Sequence, residues 1–269
     1  MERIDDLQYE NLKIIQNTDG FRFGIDSVLL TEFARDIKNG CKMVDLGTGT
    51  GIISILLSKK VKPKEIIAIE KQAEVADMAR RSVELNELQN QIKIINCDIK
   101  DLFNSNKEIR EGKDNKIKLD KEDKTKIDRT TAIRFVRNSF DVVVTNPPYK
   151  KKGTGIDSAT NTQQLSRVES TATLADWVET ASNLLNTRGS LYMVYRTDRM
   201  SELIECLNRN RLQIKRMRFV HSKVSEQSNL VLIKAVKDAK IFVTIEKPLI
   251  IYNEDGSYTE EIKKLQEEK

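Results

Sequence analysis

The chain has few of the residues that form disulfides or bind metals. Its 269 residues contain three cysteines, Cys41, Cys97 and Cys206, and one histidine, His221. The scattered cysteines make neither a disulfide framework nor a metal-binding motif, and one histidine cannot complete such a motif. We therefore expect no metal site, and we interpret Cys41 and Cys97, which border predicted strands, as small core residues.

Long apolar runs are also missing. No stretch approaches the roughly 20 apolar residues that cross a membrane, and the first residues lack the pattern of a secretory signal. Hydrophobic residues make up 39% of the chain, which is enough for a globular core. We therefore predict a cytoplasmic protein built from one large domain with appendages. The net charge of +5 permits a nucleic-acid partner but does not require one.

Predicted strands and helices alternate from about residue 43 to residue 195, which is typical of a doubly wound parallel α/β sheet. One helix, at about 72–88, places apolar residues that include Leu85 toward the core. Another begins at Leu174 and carries the only tryptophan, Trp177, which we interpret as a core residue rather than a base-stacking one. We expect Gly189 to stop this second helix.

A glycine-rich turn follows the first of these strands, at 47–51. Its third glycine, Gly51, falls one position early for a dinucleotide fingerprint, and no Gly-Lys-Ser/Thr follows to complete a P-loop. The glycines allow a close approach of backbone to ligand, and the next helix offers free N–H groups. Asp45, two residues before Gly47, would repel a pyrophosphate. It would attract a cation such as the amino group or sulfonium of S-adenosylmethionine.

Carboxylates stand at the ends of the next two predicted strands. Glu70 ends segment 65–70, at about the distance from the glycine turn where an acidic residue binds ribose hydroxyls. Asp98 follows segment 92–96, where it can accept a hydrogen bond from an adenine amino group. Each alone is typical of a solvated strand end. Together they mark the carboxyl ends of successive strands, where open α/β sheets bind ligands.

A carboxamide, two prolines and an aromatic ring follow the next apolar strand, as Asn146, Pro147, Pro148 and Tyr149. The asparagine oxygen and a backbone carbonyl can both accept hydrogen bonds from one planar amino group. The prolines stiffen the segment and remove competing donors, and the tyrosine can stack on a flat ring. An ordinary turn is the alternative, because Asn-Pro often begins turns. With a methyl donor nearby, the segment suits methylation of an exocyclic or amide nitrogen.

These motifs resemble the class I S-adenosylmethionine-dependent methyltransferases that modify amino groups. More narrowly, the chain resembles the bacterial tRNA(Val) adenine-N6-methyltransferase family, which modifies the adenosine immediately 3′ of the anticodon. The resemblance covers most of the chain, including segments 21–30, 146–149, 167–174 and 248–252. Members often carry Ala-Arg-His-Glu where this chain has Ser166-Arg167-Val168-Glu169, so any role of a histidine there is absent.

The resemblance implies a Rossmann-like class I methyltransferase fold, with a doubly wound, mostly parallel seven-stranded sheet and an antiparallel edge strand. It divides the chain into an N-terminal cap segment (1–40), a catalytic domain (41–240) with a charged insertion (104–137), and a C-terminal β/helix extension (241–269). It implies S-adenosylmethionine as cofactor and tRNA as partner, with no membrane and no metal, in a monomer or weak dimer.

Three groups of site residues are predicted from the motifs and the resemblance. The catalytic group is Asn146, Pro147, Pro148 and Tyr149. The donor-binding group is Phe23, Asp26, Asp45, Gly47, Gly49, Gly51, Glu70, Lys71, Asp98, Ile99 and Asn146. Within it, Phe23 and Asp26 belong to the segment that caps the methionine end of the donor in the family. The RNA-binding group is Lys150, Lys151, Lys152, Arg167 and Arg196.

The basic segments have alternative interpretations. A lysine run such as 150–152 is usually a solvated loop, but beside a base pocket we interpret it as a phosphate clamp. We interpret the charged stretch 104–137 as a flexible solvated insertion, with a basic flap on tRNA phosphates as the alternative.

Other protein classes share this chemistry. Enzymes that methylate a glutamine amide in release factors use the same Asn-Pro-Pro-Tyr, but they usually have a sizeable helical domain before the glycine turn. Guanine-N2 rRNA methyltransferases commonly carry Phe in place of Tyr149, and residue chemistry alone does not separate RNA from DNA. A non-catalytic RNA-binding protein that keeps the fold is disfavoured by the intact Asp45, Glu70, Asp98 and Asn146.

Overall fold

The computed structural model describes residues 1–17, 24–104, 135–149 and 172–267. Phe23, Lys150–Lys152, Arg167 and nearly all of the charged insertion lie outside the described residues. The strands are β1 (Glu2–Asp6), β2 (Lys13–Asn17), β3 (Lys42–Leu46), β4 (Glu65–Glu70), β5 (Ile92–Asn96), β6 (Phe140–Thr145), β7 (Leu185–Arg196), β8 (Leu212–His221), β9 (Ser228–Lys237), β10 (Thr244–Ile245) and β11 (Leu249–Ile250). The helices are α1 (Ile25–Phe33), α2 (Ile52–Lys60), α3 (Ala73–Leu85), α4 (Asp101–Asn104), α5 (Leu174–Leu184), α6 (Met200–Arg209) and α7 (Glu260–Glu267).

The main sheet has the strand order β10-β8-β9-β7-β6-β3-β4-β5, and β11 also pairs with β8. Strands β3 to β7 run parallel, whereas β9 is antiparallel to both of its neighbours. The predicted class is therefore confirmed, with seven strands from β3 to β9. Two details differ: the two-residue strands β10 and β11 extend the sheet, and the antiparallel strand β9 lies inside the sheet, between β7 and β8. That position arises because the β8–β9 hairpin docks on β7 through its second strand.

The order of the strands reverses at β3, which lies between β4 on one side and β6 on the other. Open α/β sheets bind ligands at the carboxyl ends of strands at such a switch point. Leu46, the last residue of β3, is in register with Thr145, the last residue of β6. The Thr145 hydroxyl donates to the Leu46 carbonyl at 2.9 Å. The glycine turn and the Asn-Pro-Pro-Tyr segment therefore begin side by side.

Apolar side chains fill both faces of the sheet. Helices α1 and α2 cover one face and α5 and α6 cover the other, and along β3 the side chains of Met43 and Val44 enter the two cores in turn. This alternation is the two-residue period of a strand buried on both sides. Among the described residues, no helix combines the length and the apolar character that spanning a bilayer requires.

Two local expectations need correction. Leu85 is 42% exposed, because α3 ends there and its last residue lies at the rim of the buried face. Gly189 does not stop a helix: α5 already ends at Leu184, and Gly189 lies within β7. The pairing of β6 with β7 shifts register between Phe140 and Val142, and a Cβ on Gly189 would lie 2.9 Å from the Asn186 carbonyl oxygen. The glycine therefore permits an irregular strand.

The terminal segments pack against this α/β unit. Strands β1 and β2 form a separate two-stranded sheet, and the Ile15 N–H donates to the Ser82 hydroxyl on α3 at 2.9 Å. At the other end of the chain, Arg218 on β8 forms an ion pair with Glu261 on α7 at 2.6 Å. The domain boundaries at 40 and 240 stay predictions.

Candidate active site

A cavity lies at the carboxyl ends of β3, β4, β5 and β6. Its wall contains ten of the predicted site residues, from both the donor-binding and the catalytic groups. They are Gly47, Gly49, Glu70, Lys71, Asp98, Ile99, Asn146, Pro147, Pro148 and Tyr149. The two groups, separate in sequence, thus share one cavity.

The glycine turn brings backbone close to this cavity. Gly47 has a φ of +70° and Gly51, at the start of α2, a φ of +96°, values that side-chain-bearing residues rarely adopt. A Cβ on Gly47 would also lie 2.6 Å from Cη2 of Trp177. The turn is fastened to β4, since the Gly47 and Thr48 N–H groups both donate to the Ile69 carbonyl at 2.9 Å. Gly51 itself does not line the cavity.

Asp45 lies beneath the turn and not in the cavity wall. Its carboxylate is completely buried, and one oxygen accepts hydrogen bonds from Thr48 at 2.6 Å and Ser54 at 2.8 Å. The second oxygen, Oδ1, has no hydrogen-bond partner among the described residues. Burial raises the pKa of Asp45 to about 6. Its predicted attraction for a cationic ligand would therefore act from below the turn, and direct contact stays a prediction.

Glu70 ties the turn to the end of β4. It is buried, and its two carboxylate oxygens accept hydrogen bonds from the backbone N–H groups of Gly49 at 3.1 Å and Gln72 at 2.9 Å. Burial raises the pKa of Glu70, against the opposing effect of these hydrogen bonds. Each oxygen keeps a further lone pair, so the carboxylate can still accept from a vicinal diol.

Asp98 and Lys71 form an ion pair in the same wall. The Lys71 Nζ lies 3.0 Å from Asp98 Oδ2, and the other carboxylate oxygen accepts from the Lys100 N–H at 3.0 Å. The Lys71 side chain is 45% exposed, whereas Asp98 is 17% exposed. Ile99, buried beside them, supplies an apolar surface. An ion pair therefore lies next to an apolar side chain in the cavity wall.

The carboxamide of Asn146 is held at both ends. Its Nδ2 donates to the Ser27 hydroxyl at 3.1 Å, and its Oδ1 accepts from the Tyr149 hydroxyl. The Tyr149 hydroxyl also lies 3.5 Å from Asp26 Oδ2, which connects this predicted residue to the site. No described residue donates to the Pro147 carbonyl. Ser27 was missed from sequence, although it directly follows Asp26 at the start of α1.

The Tyr149 ring is buried against neighbouring side chains. It is 9% exposed, and it meets the Tyr195 ring edge-on, with centroids 5.8 Å apart and planes at 77°. It nevertheless contributes to the cavity wall. Stacking on a substrate ring stays a prediction, which requires the ring to enter the cavity.

The structure also places Arg196, Trp177 and lining residues that the sequence did not indicate. Arg196 is exposed and outside the cavity wall, where it forms an ion pair with Asp198 at 2.6 Å. Trp177 is 6% exposed and belongs to the core, as expected, but it also lines the cavity. The remaining lining residues that sequence reasoning missed are Gly24, Ile69, Gln72, Val75, Cys97 and Ala172. In the part of the chain described, no group of three or more His, Cys, Asp or Glu side chains is placed to hold a metal.

Comparison with known proteins relates this chain to methyltransferases. The family model described as Eco57I restriction-modification methylase matches residues 64–242. A tRNA1(Val) (adenine(37)-N6)-methyltransferase of Haemophilus influenzae (strain PittEE) is 24% identical over 258 residues, which cover 94% of this chain and 92% of that protein. The protein of the same description from Histophilus somni (strain 129Pt) is 26% identical over 196 residues, covering 72% and 69%.

Solved structures agree on the fold. A predicted O-methyltransferase, protein Atu636 from Agrobacterium tumefaciens, superposes with a TM-score of 0.62 at 20% identity, covering 90% of this chain and 95% of that one. The M. jannaschii TYW2 structure in complex with AdoMet gives a TM-score of 0.53 at 16% identity, covering 87% and 85%. At these identities the likeness establishes the Rossmann-like methyltransferase fold and nothing finer.

Proposed function

The chain belongs to the Eco57I restriction-modification methylase family, and from this premise we propose that it transfers a methyl group from S-adenosylmethionine to N6 of an adenosine in tRNA. The target we propose is the adenosine next to the anticodon, in tRNA(Val). Two relatives whose names state that reaction align over 94% and 72% of this chain. A cytoplasmic location and a monomeric or weakly dimeric state are part of the same proposal.

One observation carries the proposal: Gly47 and Asn146 each follow one residue of the register pair Leu46 and Thr145. A donor held at the glycine turn therefore lies next to a carboxamide that can receive an amino group. The wall fits such a donor, because positive-φ glycine and the absent Cβ at Gly47 leave room for a close approach. When bound, S-adenosylmethionine supplies an electrophilic sulfonium methyl.

Three wall residues have distinct roles in holding the donor. The Glu70 carboxylate accepts hydrogen bonds from the ribose hydroxyls, through the lone pairs left by Gly49 and Gln72. Asp98 accepts from the adenine amino group, and Ile99 packs against the adenine ring. The buried carboxylate of Asp45 is negatively charged, and it would attract the positively charged methionine end of the donor.

Asn146 and Pro147 activate the target nitrogen. An adenine amino group is a poor nucleophile because its lone pair is shared with the ring. The Asn146 Oδ1 and the Pro147 carbonyl accept its two hydrogens, which draws the nitrogen toward sp³ geometry and localises the lone pair. The bound donor would supply the methyl group, with its S–CH3 bond breaking as the N–CH3 bond forms and the neutral thioether leaving, and the extra proton on the nitrogen would pass to solvent. Catalysis rests on positioning and fixed dipoles.

Tyr149 occupies the acceptor that the substrate needs. In the free enzyme its hydroxyl donates to Asn146 Oδ1, so an entering amino group must either use the second lone pair of that oxygen or displace the hydroxyl. Asp26 Oδ2, 3.5 Å from the same hydroxyl, offers a second acceptor to which it can turn. The carboxamide therefore stays hydrogen-bonded, and fixed in orientation, before and after the base enters.

The base must leave its stack to reach this cavity, as enzymes that act on bases require. Arg196 and the lysines at 150–152 are proposed to hold the neighbouring phosphates, because backbone contacts set register while a pocket reads the base. A base in an anticodon loop can leave its stack at a small cost in free energy, because it is not paired.

Labelled methyl transfer from S-adenosylmethionine to unmodified total tRNA, followed by nucleoside analysis, tests the proposal. We expect label in N6-methyladenosine with the intact protein, and labelling slower by about 100-fold or more with Asn146→Ala. Genomic DNA and release factors are assayed in parallel, because the family's description concerns restriction-modification enzymes and the glutamine amide presents the same group. Label in either of these, with none in tRNA, would replace the proposed substrate while leaving the amino-group chemistry in place.

A further inference from the structure

Arg199 follows β7 at the same edge of the sheet as the catalytic segment, and it contacts that segment. It ends the 3-10 turn Thr197–Arg199, between β7 and α6. Its Nη1 donates to the backbone carbonyl of Tyr149 at 3.0 Å. Its Nε and Nη2 donate to the two carboxylate oxygens of Glu202 at 2.9 Å and 2.8 Å. This forked pairing fixes the plane and direction of the guanidinium.

A second contact runs through Tyr195. The Arg199 guanidinium lies 5.2 Å from the centroid of the Tyr195 ring, within the range of a cation–π interaction. Tyr195 is 1% exposed, and its ring meets the Tyr149 ring edge-on at 5.8 Å. Arg199 therefore supports Tyr149 twice, directly through the backbone carbonyl and indirectly through an aromatic pair.

The catalytic segment has few internal means of holding its shape. Pro147 and Pro148 have no N–H group, so neither can donate a backbone hydrogen bond to fix the turn. The Arg199 side chain is 18% exposed, and the three hydrogen bonds to Tyr149 and Glu202 use three of its five N–H groups. Its geometry suits an internal anchor better than a contact with a mobile phosphate.

We propose that Arg199 is a positioning residue, which holds Tyr149, and through it the Asn146 carboxamide, in the geometry required for methyl transfer. The inference rests on the proposed function only for the choice of methyl acceptor. Displacements of about 1 Å can cost an enzyme on the order of 100-fold in rate, so loss of this anchor should appear in kcat.

The test compares Arg199→Met, Arg199→Lys and Glu202→Gln with a matched control, Arg209→Met. Arg209 forms an ion pair with Glu205 on α6, but it is 74% exposed and makes no hydrogen bond or ion pair with the described residues of the catalytic segment. We expect Arg199→Met to lower kcat about 10- to 100-fold with KM for the acceptor and donor affinity nearly unchanged. Arg199→Lys should recover part of kcat, Glu202→Gln should lose less than Arg199→Met, and Arg209→Met should match the wild type.

A phosphate contact predicts a different pattern. If Arg199→Met raised KM for a nucleic-acid acceptor, left kcat unchanged and weakened the salt dependence of binding, Arg199 would be an RNA ligand and the proposal would be overturned. Melting temperatures of all variants are measured first, and only variants that melt near the wild type are compared.

Hydrogen exchange separates this inference from the proposed substrate. Amide exchange in peptides that contain Asn146 and Tyr149 requires no methyl acceptor, so it can be read in the free enzyme. We expect faster exchange there in Arg199→Met and not in Arg209→Met, and equal exchange in the two variants would overturn the positioning role. The proposed function is decided separately, by whether the wild-type enzyme transfers the labelled methyl group to tRNA or to another acceptor.

Discussion

The carboxamide of Asn146 donates a hydrogen bond to the Ser27 hydroxyl at 3.1 Å, joining the end of β6 to the first turn of α1 across 119 positions of the chain. Ser27 is buried, so little water competes for this bond. The bond decides which way the carboxamide faces, because a nitrogen fixed on Ser27 leaves Oδ1 pointing to the Tyr149 hydroxyl. Ser27 therefore controls the acceptor on which the proposed chemistry depends.

Ser27→Ala should lower kcat by about tenfold or more, because the freed carboxamide can rotate and present its nitrogen to the substrate. Donor affinity should change little. Steady-state kinetics and donor titration by calorimetry give the two values. Ser58→Ala is the matched control, since Ser58 is a buried helical serine whose hydroxyl bonds, among the described residues, only the Ile55 carbonyl of its own helix. Equal kcat for both variants would show that Ser27 does not orient the site.

Asn146→Asp should keep more activity than Asn146→Ala. A carboxylate still offers an oxygen to the amino group, and the Ser27 hydroxyl can reverse its role and donate to that carboxylate. The alanine variant lacks the side-chain acceptor and should lose on the order of 100-fold in kcat or more. Single-turnover methyl transfer at saturating donor compares the two. If both variants lost the same rate, the side-chain oxygen would not be the activating group.

The motifs at the strand ends could be predicted from sequence because their chemistry is local. A glycine turn, Glu70, Asp98 and Asn146 each follow a strand, and parallel strands bring such ends to one edge. The partners of those motifs could not be predicted, because Ser27, Trp177 and Arg199 reach the site from helices or a turn. Their side-chain directions depend on how those elements pack. The place of β9 inside the sheet was missed for a similar reason, since local sequence does not tell which hairpin strand docks.

The buried Asp45 should make stability depend on pH. Its pKa is raised by burial from 3.8 to about 6, so between these values the folded chain binds more protons than the unfolded chain. The free energy of unfolding therefore falls as pH rises through this window, by about 3 kcal/mol in all. Asp45→Asn does not titrate and should lack this loss.

Urea unfolding of both proteins at several pH values between about 4 and 7 measures the effect. The wild type should lose stability relative to Asp45→Asn as pH rises, with most of the change complete just above pH 6. If the free energies of unfolding of the two proteins changed in parallel over the whole pH range, Asp45 would have an ordinary pKa in the folded protein.

The contact between Gly47 and Trp177 provides a direct probe of the donor site. Trp177 is the only tryptophan in the chain, and it lines the cavity against the glycine turn. Its fluorescence should therefore change on addition of S-adenosylmethionine and saturate at the affinity that calorimetry gives. A donor that binds by calorimetry without any change in emission would place it away from this wall.

Gly47→Ala should weaken donor binding about tenfold or more, which corresponds to at least 1.4 kcal/mol. The added methyl would lie 2.6 Å from the indole, so either the turn or Trp177 must move. Gly40→Ala is the control, because Gly40 has a similar φ of +76° and nothing lies within 4 Å of an added Cβ there. Both variants bear the strain of a positive φ, but only the first meets the cavity wall. If the two bound the donor equally well, the Gly47–Trp177 contact would have no part in shaping the site, and the glycine would be required for backbone conformation alone.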